Sequence, residues 1–230
     1  MKVDAIIPAA GVGSRFSKTE KKQYFKINGR EILYYTLKNL KETYNFNKFI
    51  IGALDDDRHV LKKILESLDI KNYVISKAGK LRQETVFNSL LESSTDIVLI
   101  HDAVRPIITP NIVKKVITSV ENYDGAICGV QLRDALKEIG EDSIVKLSLD
   151  RKRYVLIHTP QVFKREILIA ALDVIEKKNK IIYDESEALE YIGGKVVFVK
   201  SMFYNIKITY KEDIPLVKYL IKTFLSNKNS

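Results

Sequence analysis

Residues 6–24, IIPAAGVGSRFSKTEKKQY, indicate both the fold and the kind of ligand. The apolar run Val3–Pro8 leads into this stretch and is typical of a first β-strand buried in a sheet. The chain then passes through small residues and glycines, which let backbone N–H groups approach a ligand closely. The composition of this turn predicts an anion-binding loop.

Basic side chains distinguish this loop from other glycine loops. Arg15, Lys18, Lys21 and Lys22 lie within one short segment, and a guanidinium with several ammonium groups suits a triphosphate. A dinucleotide-binding fingerprint requires a small residue where this chain has Phe16, and the Gly-Lys-Ser/Thr of a P-loop is missing. The alternative is an ordinary surface turn with solvated lysines.

The composition describes one globular protein with a basic charge. The 230 residues, of which 46% are apolar and 29% charged, suit a single domain over residues 1–230. The net charge of +9 fits nucleic acid, an anionic membrane surface or highly phosphorylated small molecules. Basic residues do not form blocks beside aromatic platforms, and apolar runs are short. We therefore expect phosphorylated small molecules as partners, with no nucleic acid and no membrane.

A single cysteine bears on the compartment. Cys128 has no partner for an intramolecular disulfide and lies in an apolar run, which suits a buried thiol in a reducing environment. The sequence shows no signal peptide, so we expect a cytoplasmic protein.

Strand-like and helix-like segments alternate along the chain. The predicted strands cover residues 3–8, 48–53, 73–76, 97–100, 125–130 and 195–200, and helices are predicted at 31–43, 110–122 and 212–224. Asp57 is predicted to cap another helix, after the second strand. This alternation predicts an α/β fold, a Rossmann-like, mostly parallel sheet flanked by helices, with ligands at the carboxyl ends of the strands.

Residues 133–153 interrupt this alternation. Two short apolar stretches, 136–139 and 144–149, flank the turn-forming residues 140–143 and predict an inserted β-hairpin arm. A two-stranded hairpin is not stable alone in water, so it must pack on something. We expect a homodimer formed through this arm.

Polar residues follow the predicted buried strand 97–100. Asp102 is a natural partner for Mg²⁺ or a ribose hydroxyl in a protein that collects phosphate-binding cations. A structural role is favoured for His101 over that of a base, because phosphate is already deprotonated. His59 and His158 have no Cys or His neighbours at metal-ligand spacing, so zinc is not expected.

Five motifs occur in the order of a known family. They are PAAGVGSR (8–15) with KQY (22–24), Gly79 with Arg82 and Thr85, HDAVRP (101–106), TPQVF (159–163) and NIKIT (205–209). They resemble the sugar- and polyol-phosphate nucleotidyltransferases and are most similar to the 2-C-methyl-D-erythritol 4-phosphate cytidylyltransferases of isoprenoid precursor biosynthesis. The resemblance extends to about residue 213.

The resemblance implies an activity and a set of site residues. CTP and 2-C-methyl-D-erythritol 4-phosphate would give 4-diphosphocytidyl-2-C-methyl-D-erythritol and pyrophosphate, with Mg²⁺ as cofactor. The implied catalytic residues are Arg15, Lys22, Arg151 and Lys207. The implied nucleotide-binding residues are Pro8, Ala9, Ala10, Gly11, Gly13, Gly79, Thr85, Asp102 and Ala103. The implied acceptor-binding residues are Arg105, Arg151, Thr159 and Lys207, and Asp102 is the implied metal ligand.

Departures from the family pattern keep alternatives open. Ala135 stands where relatives commonly have a threonine that helps to hold the acceptor, and a ribitol 5-phosphate cytidylyltransferase shares nearly all of the motifs. Lys22 is the expected catalytic lysine, because its register against Gln23-Tyr24 matches the family. Lys21 stands where proline is usual, which makes the loop less rigid and more basic. Arg151 also fits a surface salt bridge. A non-catalytic nucleotide- or nucleic-acid-binding protein is the alternative from another class.

Several polar residues have a structural explanation as well as a functional one. Arg82 and Gln83 suit the solvated start of a helix as well as a ligand site. Asp184 and Glu185 are equally explained by the dipole of the helix that they begin. Lys207 lies opposite the predicted core face, which fits a phosphate contact and plain solvent exposure alike.

Overall fold

The computed structural model describes residues 1–17 and 19–226. Lys18, predicted among the loop cations, therefore lies outside the described residues. The strands are β1 (Val3–Pro8), β2 (Lys26–Ile27), β3 (Arg30–Glu31), β4 (Lys48–Ala53), β5 (Tyr73–Lys77), β6 (Ile97–Ile100), β7 (Gly125–Gln131), β8 (Leu136–Ile139), β9 (Val145–Leu149), β10 (Val155–Lys164) and β11 (Val196–Lys200). The helices are α1 (Ile32–Thr43), α2 (Arg58–Ser67), α3 (Arg82–Leu91), α4 (Pro110–Ser119), α5 (Arg165–Lys177), α6 (Glu185–Glu190) and α7 (Ile214–Ser226).

One large sheet organises the molecule. Among the described residues it has seven strands in the order β11-β7-β10-β6-β1-β4-β5. β1 pairs in parallel with β4 and β6, β4 with β5, and β7 with β11. The predicted α/β class, a Rossmann-like and mostly parallel sheet flanked by helices, is confirmed. Within the described ranges, no helix has the length and apolarity that crossing a membrane requires.

Strand β10 departs from the alternation of strands and helices predicted for the parallel part of the sheet. It was not expected as a strand, yet it lies between β6 and β7 and pairs antiparallel with both. Proline cannot donate to a strand ladder, so Pro160 argues against a central strand. The register shifts between His158 and Gln161, and this irregularity accommodates the proline inside the sheet.

Both faces of the sheet are buried. Val3, Ala5 and Ile7 of β1 belong to the cluster that includes α1 and α4 residues, whereas Ile6 belongs to the cluster that includes α3 and α5 residues. A strand covered on both faces reads as a continuous apolar run, which is why β1 could be placed from the sequence. A third cluster joins Phe16, at the end of the glycine loop, to residues of α7.

Asp57 precedes α2 as predicted, but its side chain does not cap the helix. Its backbone is helical, at φ −88° and ψ −9°, because a 3₁₀ turn, Asp55–Asp57, leads directly into α2. A capping side chain requires an extended backbone at that position. The Asp57 carboxylate instead accepts hydrogen bonds from Lys21.

Helix α3 approaches strand β4 very closely at Gly52. A Cβ atom at this position would overlap the Thr85 Cγ2 atom and would lie 3.0 Å from Ser89 Oγ. Only glycine leaves room for this packing. The close approach fixes the depth at which α3 places its first turn beside the ends of the strands.

The predicted β-hairpin is confirmed, and its role as a dimer arm stays a prediction. β8 and β9 pair with each other in a separate antiparallel sheet, and β9 begins one residue later than the predicted apolar stretch. Most of the arm is solvent-exposed in the single chain, including several apolar side chains: Ile139, Ile144, Val145 and Leu147.

Candidate active site

A cleft opens beyond the carboxyl ends of β1, β5 and β6. It encloses about 680 Å³, part of which is open to solvent. The predicted site residues that line it are Pro8, Ala9, Ala10, Gly11, Lys22, Gly79, Thr85, Asp102, Ala103 and Lys207. The position at the carboxyl edge is the one expected for a sheet of this class.

The glycine loop forms one wall of the cleft. Gly13 has a φ of +69°, which favours glycine, and its carbonyl accepts a hydrogen bond of 2.8 Å from the N–H of Phe16. A Cβ atom at Gly13 would lie 3.2 Å from Cγ of Lys22. The alkyl stem of Lys22 therefore packs on Gly13, so Gly13 shapes the cleft without lining it.

Lys22 brings a positive charge into the cleft. Burial lowers the pKa of its ammonium group, and the like charges of Lys207 and Arg15 lower it further. Such a convergence of cations is unfavourable by itself, and an anionic ligand would relieve it. This arrangement is suited to binding several phosphate groups.

Asp102 organises the opposite wall. Its side chain is 7% exposed and ion-paired with Arg82 at 3.3 Å, Arg105 at 3.1 Å and Lys207 at 3.0 Å. Burial alone would raise the pKa of the Asp102 carboxyl, but Arg82, Lys207 and Arg105 outweigh it and hold the pKa well below its usual range. The carboxylate thus stays ionised and holds three cationic side chains around it.

Arg82 also forms an ion pair with a residue at the start of α6. Its Nη1 donates to Oε1 of Glu185 at 2.5 Å, and the Glu185 side chain is fully buried. Burial would lower the pKa of Arg82, but the Glu185 and Asp102 carboxylates raise it above its ordinary value. Arg82 lines the cleft, so this buried pair fixes a cation there.

The acidic residues at the start of α6 have different structural roles. Asp184 caps the helix, because its carboxylate accepts hydrogen bonds from the N–H groups of Ser186 and Glu187. Glu185 instead holds Arg82 across 103 residues of sequence. Among the residues that had two explanations, Gln83 is structural, since it binds Lys180 and Ile182 through its side-chain amide.

A buried hydrogen-bond network supports Asp102 from below. Thr159 Oγ1 accepts from the Asp102 N–H at 3.0 Å and lies 2.9 Å from His101 Nδ1, while His101 Nε2 lies 2.9 Å from the Arg105 carbonyl. Thr159 therefore donates to Nδ1, and Nε2 carries the proton that the carbonyl accepts. Burial lowers the pKa of His101 to about 4, so the ring is neutral. The predicted structural role of His101 is confirmed.

Two predicted acceptor-binding residues lie inside this network. Arg105 is 7% exposed and donates to Asp102 and to the Asn205 carbonyl, and Thr159 is 4% exposed. Neither is among the residues that line the cleft. Their side chains act on Asp102 in the single chain, and their contact with an acceptor stays a prediction.

The remaining predicted residues lie outside the cleft. The Arg15 guanidinium is exposed and lies 5.9 Å from the ring centroid of Tyr210. Arg151 is exposed on the arm, where it donates to the Arg133 carbonyl. The single chain thus assembles most of the predicted nucleotide site but brings only Lys207 of the acceptor residues to the cleft.

Sequence reasoning omitted five residues from the predicted site. The cleft is also lined by Gln23, Lys80, Leu81, Arg82 and Val104. Gln23 is buried and its Nε2 donates to the Ala9 carbonyl at 2.7 Å, which ties the lysine-rich turn to the glycine loop. The match at KQY was the signal for Gln23, and the place of Arg82 in a motif was the signal for that residue.

The chain was compared with known proteins. Residues 3–223 match the family model described as "IspD: 2-C-methyl-D-erythritol 4-phosphate cytidylyltransferase". A relative of that name from Clostridium botulinum (strain Eklund 17B / Type B) is 34% identical over 221 residues, covering 95% of this chain and 99% of the relative. Another, from Clostridium beijerinckii, is 34% identical over 226 residues, with coverage of 97% and 100%.

A solved structure shows the same fold. The 4-diphosphocytidyl-2C-methyl-D-erythritol synthase from Anaerococcus prevotii DSM 20548 superimposes with a TM-score of 0.84 at 27% identity, covering 96% of this chain and 98% of that one. Both the sequence and the fold are therefore matched over nearly the full length. The chain belongs to the 2-C-methyl-D-erythritol 4-phosphate cytidylyltransferase family.

Proposed function

We propose that this chain transfers the cytidylyl group of CTP to 2-C-methyl-D-erythritol 4-phosphate, giving 4-diphosphocytidyl-2-C-methyl-D-erythritol and pyrophosphate. The observation that carries the proposal is the convergence of Lys22, Lys207 and Arg82 on one cleft around the ionised Asp102. Membership of the family supports this acceptor over ribitol 5-phosphate. It also supports an enzyme over a non-catalytic binding protein.

The reaction uses positioned charge. A phosphate oxygen of the acceptor attacks the α-phosphorus of CTP in line, and pyrophosphate leaves. The acceptor phosphate is already ionised, so no base is required, in keeping with a neutral and internally bonded His101. Lys22 and Arg15 stabilise the charge that develops on the transferring group.

Lys207 can exchange its ion-pair partner, Asp102, for a phosphate group during the reaction. Its ammonium group lies 3.0 Å from Asp102 Oδ2, and its side chain is 37% exposed. A side chain that is bound at its tip but open to the cleft can transfer its ammonium from a carboxylate to a phosphate. We therefore assign Lys207 to the α-phosphate and the incoming acceptor phosphate.

The loop between β5 and α3 selects the base. Thr85 Oγ1 accepts from the Gly79 N–H at 2.9 Å and lies 3.2 Å from the Leu81 carbonyl, which closes the loop into a compact turn. A Cβ atom at Gly79 would overlap Glu84 Cβ and would lie 2.9 Å from the N atom of Thr85. We assign the selection of a pyrimidine over a purine to this turn.

The donors in the cleft fit one mode of Mg²⁺ binding. The described residues contain no group of three or more His, Cys, Asp or Glu side chains that could hold a metal ion by themselves. A Mg²⁺ ion that arrives with the triphosphate needs only one or two carboxylates, and Asp102 supplies one. The ion would neutralise charge on the phosphates when bound. Lys207 and Arg105 both contact Asp102 Oδ2, so release of Lys207 would leave that oxygen with one cationic partner instead of two.

The acceptor half of the site is completed by a second subunit. We assign residues 1–230 to one domain and residues 133–153 to an arm that forms a homodimer and presents Arg151 to the partner. Arg105 and Thr159 complete the acceptor set, with Ala135 providing no hydroxyl. The single, buried Cys128, whose pKa burial raises to about 12, suits a reducing cytoplasm.

One assay tests the activity. Pyrophosphate release is measured from CTP, UTP, ATP and GTP, each with 2-C-methyl-D-erythritol 4-phosphate or ribitol 5-phosphate, with Mg²⁺ or with EDTA. We expect release from CTP with the methylerythritol acceptor and Mg²⁺. Equal turnover of ATP would remove the cytidylyl assignment, and faster reaction with ribitol 5-phosphate would replace the acceptor. Tight CTP binding without release would indicate a non-catalytic protein.

A further inference from the structure

Lys21 and Lys22 are neighbours in sequence but bind in different places. Lys22 lines the cleft, whereas Lys21 Nζ donates to both carboxylate oxygens of Asp57, at 2.7 and 2.8 Å. The side chains of Lys21 and Asp57 are 31% and 10% exposed. An ion pair that makes two hydrogen bonds and is partly buried holds its geometry better than an exposed pair. It joins the lysine-rich turn to the start of α2.

The turn Lys22–Tyr24 is anchored on both sides. Gln23 Nε2 donates to the Ala9 carbonyl on the side of the glycine loop. On the other side, the Lys21–Asp57 pair holds the residue before the turn. The N–H of Tyr24 donates to the Lys21 carbonyl at 3.0 Å, whereas the buried Tyr24 hydroxyl has no hydrogen-bond partner among the described residues. Lys22 therefore lies between two anchored neighbours, Lys21 and Gln23.

Lys22 requires such anchoring. Its ammonium group faces the like charges of Lys207 and Arg15, which oppose its position in the cleft, and the carboxylates of Asp102 and Asp213, which favour it. The stem of Lys22 packs on Gly13. Because charges act on the ammonium group in both directions, the position of the Lys22 backbone decides where that group lies.

We propose that the Lys21–Asp57 ion pair holds Lys22 in place for nucleotidyl transfer, so that Lys21 and Asp57 are positioning residues. The proposal rests on the role assigned to Lys22 under the proposed function. Asp57 is not among the residues that line the cleft, and Lys21 is not either, so neither acts by contacting the substrates there. Fixing a charged group before the substrate binds removes reorganisation from the chemical step.

The test compares kcat and KM of single and paired variants. We expect Lys21→Met and Asp57→Asn each to lower kcat about tenfold, because small displacements of a catalytic group cost that much or more, with KM for CTP little changed. Lys21→Arg should retain most of the activity, since a guanidinium also binds a carboxylate with two hydrogen bonds. The charge-exchanged pair Lys21→Asp/Asp57→Lys should recover much of the loss.

A matched control lies two residues away. Asp55→Asn removes the Asp55–Arg58 pair, whose side chains are 83% and 43% exposed, and should leave kcat unchanged. Thermal unfolding of each variant separates a rate effect from loss of folded protein. Should Asp57→Asn fold poorly, Asp57→Glu keeps the charge but shifts it, and should still lower kcat.

A second measurement does not depend on turnover. Acetylation of the Lys22 amine by dilute acetic anhydride, followed by peptide mass spectrometry, reports how often Lys22 leaves the cleft. We expect Lys21→Met to speed this labelling by roughly threefold or more, as local opening increases. Unchanged labelling and a kcat within twofold of the wild type would overturn the proposal.

Lys22→Ala is assayed beside these variants. An inactive Lys22→Ala with a fully active Lys21→Met refutes only the positioning role. An active Lys22→Ala refutes the role of Lys22 itself.

Discussion

The cleft and the hairpin arm differ in how far one chain satisfies their residues. In the cleft, Asp102 has cationic partners, and the His101 ring nitrogens both have hydrogen-bond partners. In the arm, Ile139 and Ile144 are more than 60% exposed, and Arg151 donates to the backbone carbonyl of Arg133. The two regions carry residues assigned to one reaction, yet only the cleft holds its residues through contacts within a single chain.

This difference separates nucleotide binding from acceptor binding. A preorganised cleft lets a single chain bind and polarise the nucleotide. An exposed apolar hairpin gains stability only when another surface covers it. Under the proposed function the acceptor phosphate would be held where two chains meet, and the predictions below test this division.

The largest expected effect is in the cleft. Lys22→Ala should lower kcat at least about a hundredfold, the scale for loss of one preorganised charge at a transition state. Lys21→Ala should cost less, since Lys21 acts through Asp57. Steady-state kinetics of the two variants decide the matter, and a more damaging Lys21→Ala would mean that the catalytic lysine has been misplaced by one residue.

The next prediction joins the two regions. Lys22→Ala and Arg151→Ala should each be nearly inactive as homodimers. Unfolding them together and refolding gives a random mixture in which about half of the dimers are mixed, and each mixed dimer has one intact site if Arg151 acts in the partner. About a quarter of the wild-type activity should therefore return.

The control for this experiment is the composition of the mixture. Native mass spectrometry of differently tagged chains shows whether mixed dimers have formed. If Arg151 acts within its own chain, every site keeps one defect, so mixed dimers without recovered activity would refute the shared site. Refolded wild-type protein sets the scale of recovery.

A smaller effect is expected at the arm itself. Leu147→Lys places a charge among the exposed apolar residues and should raise the Kd of the dimer at least about tenfold, because a buried charge without a partner is costly. Analytical ultracentrifugation measures the Kd. Binding of CTP should survive, since the cleft is formed by one chain. Leu91→Lys, at a similarly exposed leucine on α3, is the control.

The smallest effect concerns acid stability. The folded-state pKa of His101, about 4, lies below the ordinary value of 6.5, so the folded protein binds fewer protons than the unfolded chain. The stability that the neutral His101 ring contributes to the folded state is complete above pH 6.5 and is lost as the pH falls towards 4. Between pH 7.5 and 5.5 this amounts to about 1 kcal/mol of unfolding free energy.

Denaturant unfolding at several pH values measures this contribution. His101→Gln should flatten the slope of stability against pH by about that amount, while exposed His59→Gln should not. His158, whose pKa burial also lowers to about 4, adds a second step that both variants retain. An unchanged slope in His101→Gln would show that the ring is not buried as a neutral group.

The sequence predicted features that depend on local pattern. Strands β1, β4 and β6 were placed at their observed limits, because strands buried on both faces are continuous apolar runs. Most of the predicted nucleotide-binding residues line one cleft, because parallel strands deliver their carboxyl ends to one edge. The alternation around Lys207 also held in part: Ile208 is buried, although residues 205–209 are not a strand.

Features that depend on distant pairing were missed. The Glu185 partner of Arg82 is 103 residues away and the Asp57 partner of Lys21 is 36 away, and no periodicity marks such pairs. β10 was not predicted, and Pro160 is unfavourable in a central strand; only the neighbouring strands show how it is accommodated. A helix-starting carboxylate looks the same in sequence whether it caps, as Asp184 does, or pairs.

The close approach at Gly52 has a consequence for how this sequence can diverge. A side chain at position 52 would press on Thr85, which lines the cleft, although Gly52 itself is not among the lining residues. In a mutational scan scored by growth, position 52 should therefore appear as intolerant as a ligand-contacting residue. Alanine should be accepted there only with a residue at 85 that lacks the branched methyl group, such as serine. Substitutions at the two positions should therefore occur together.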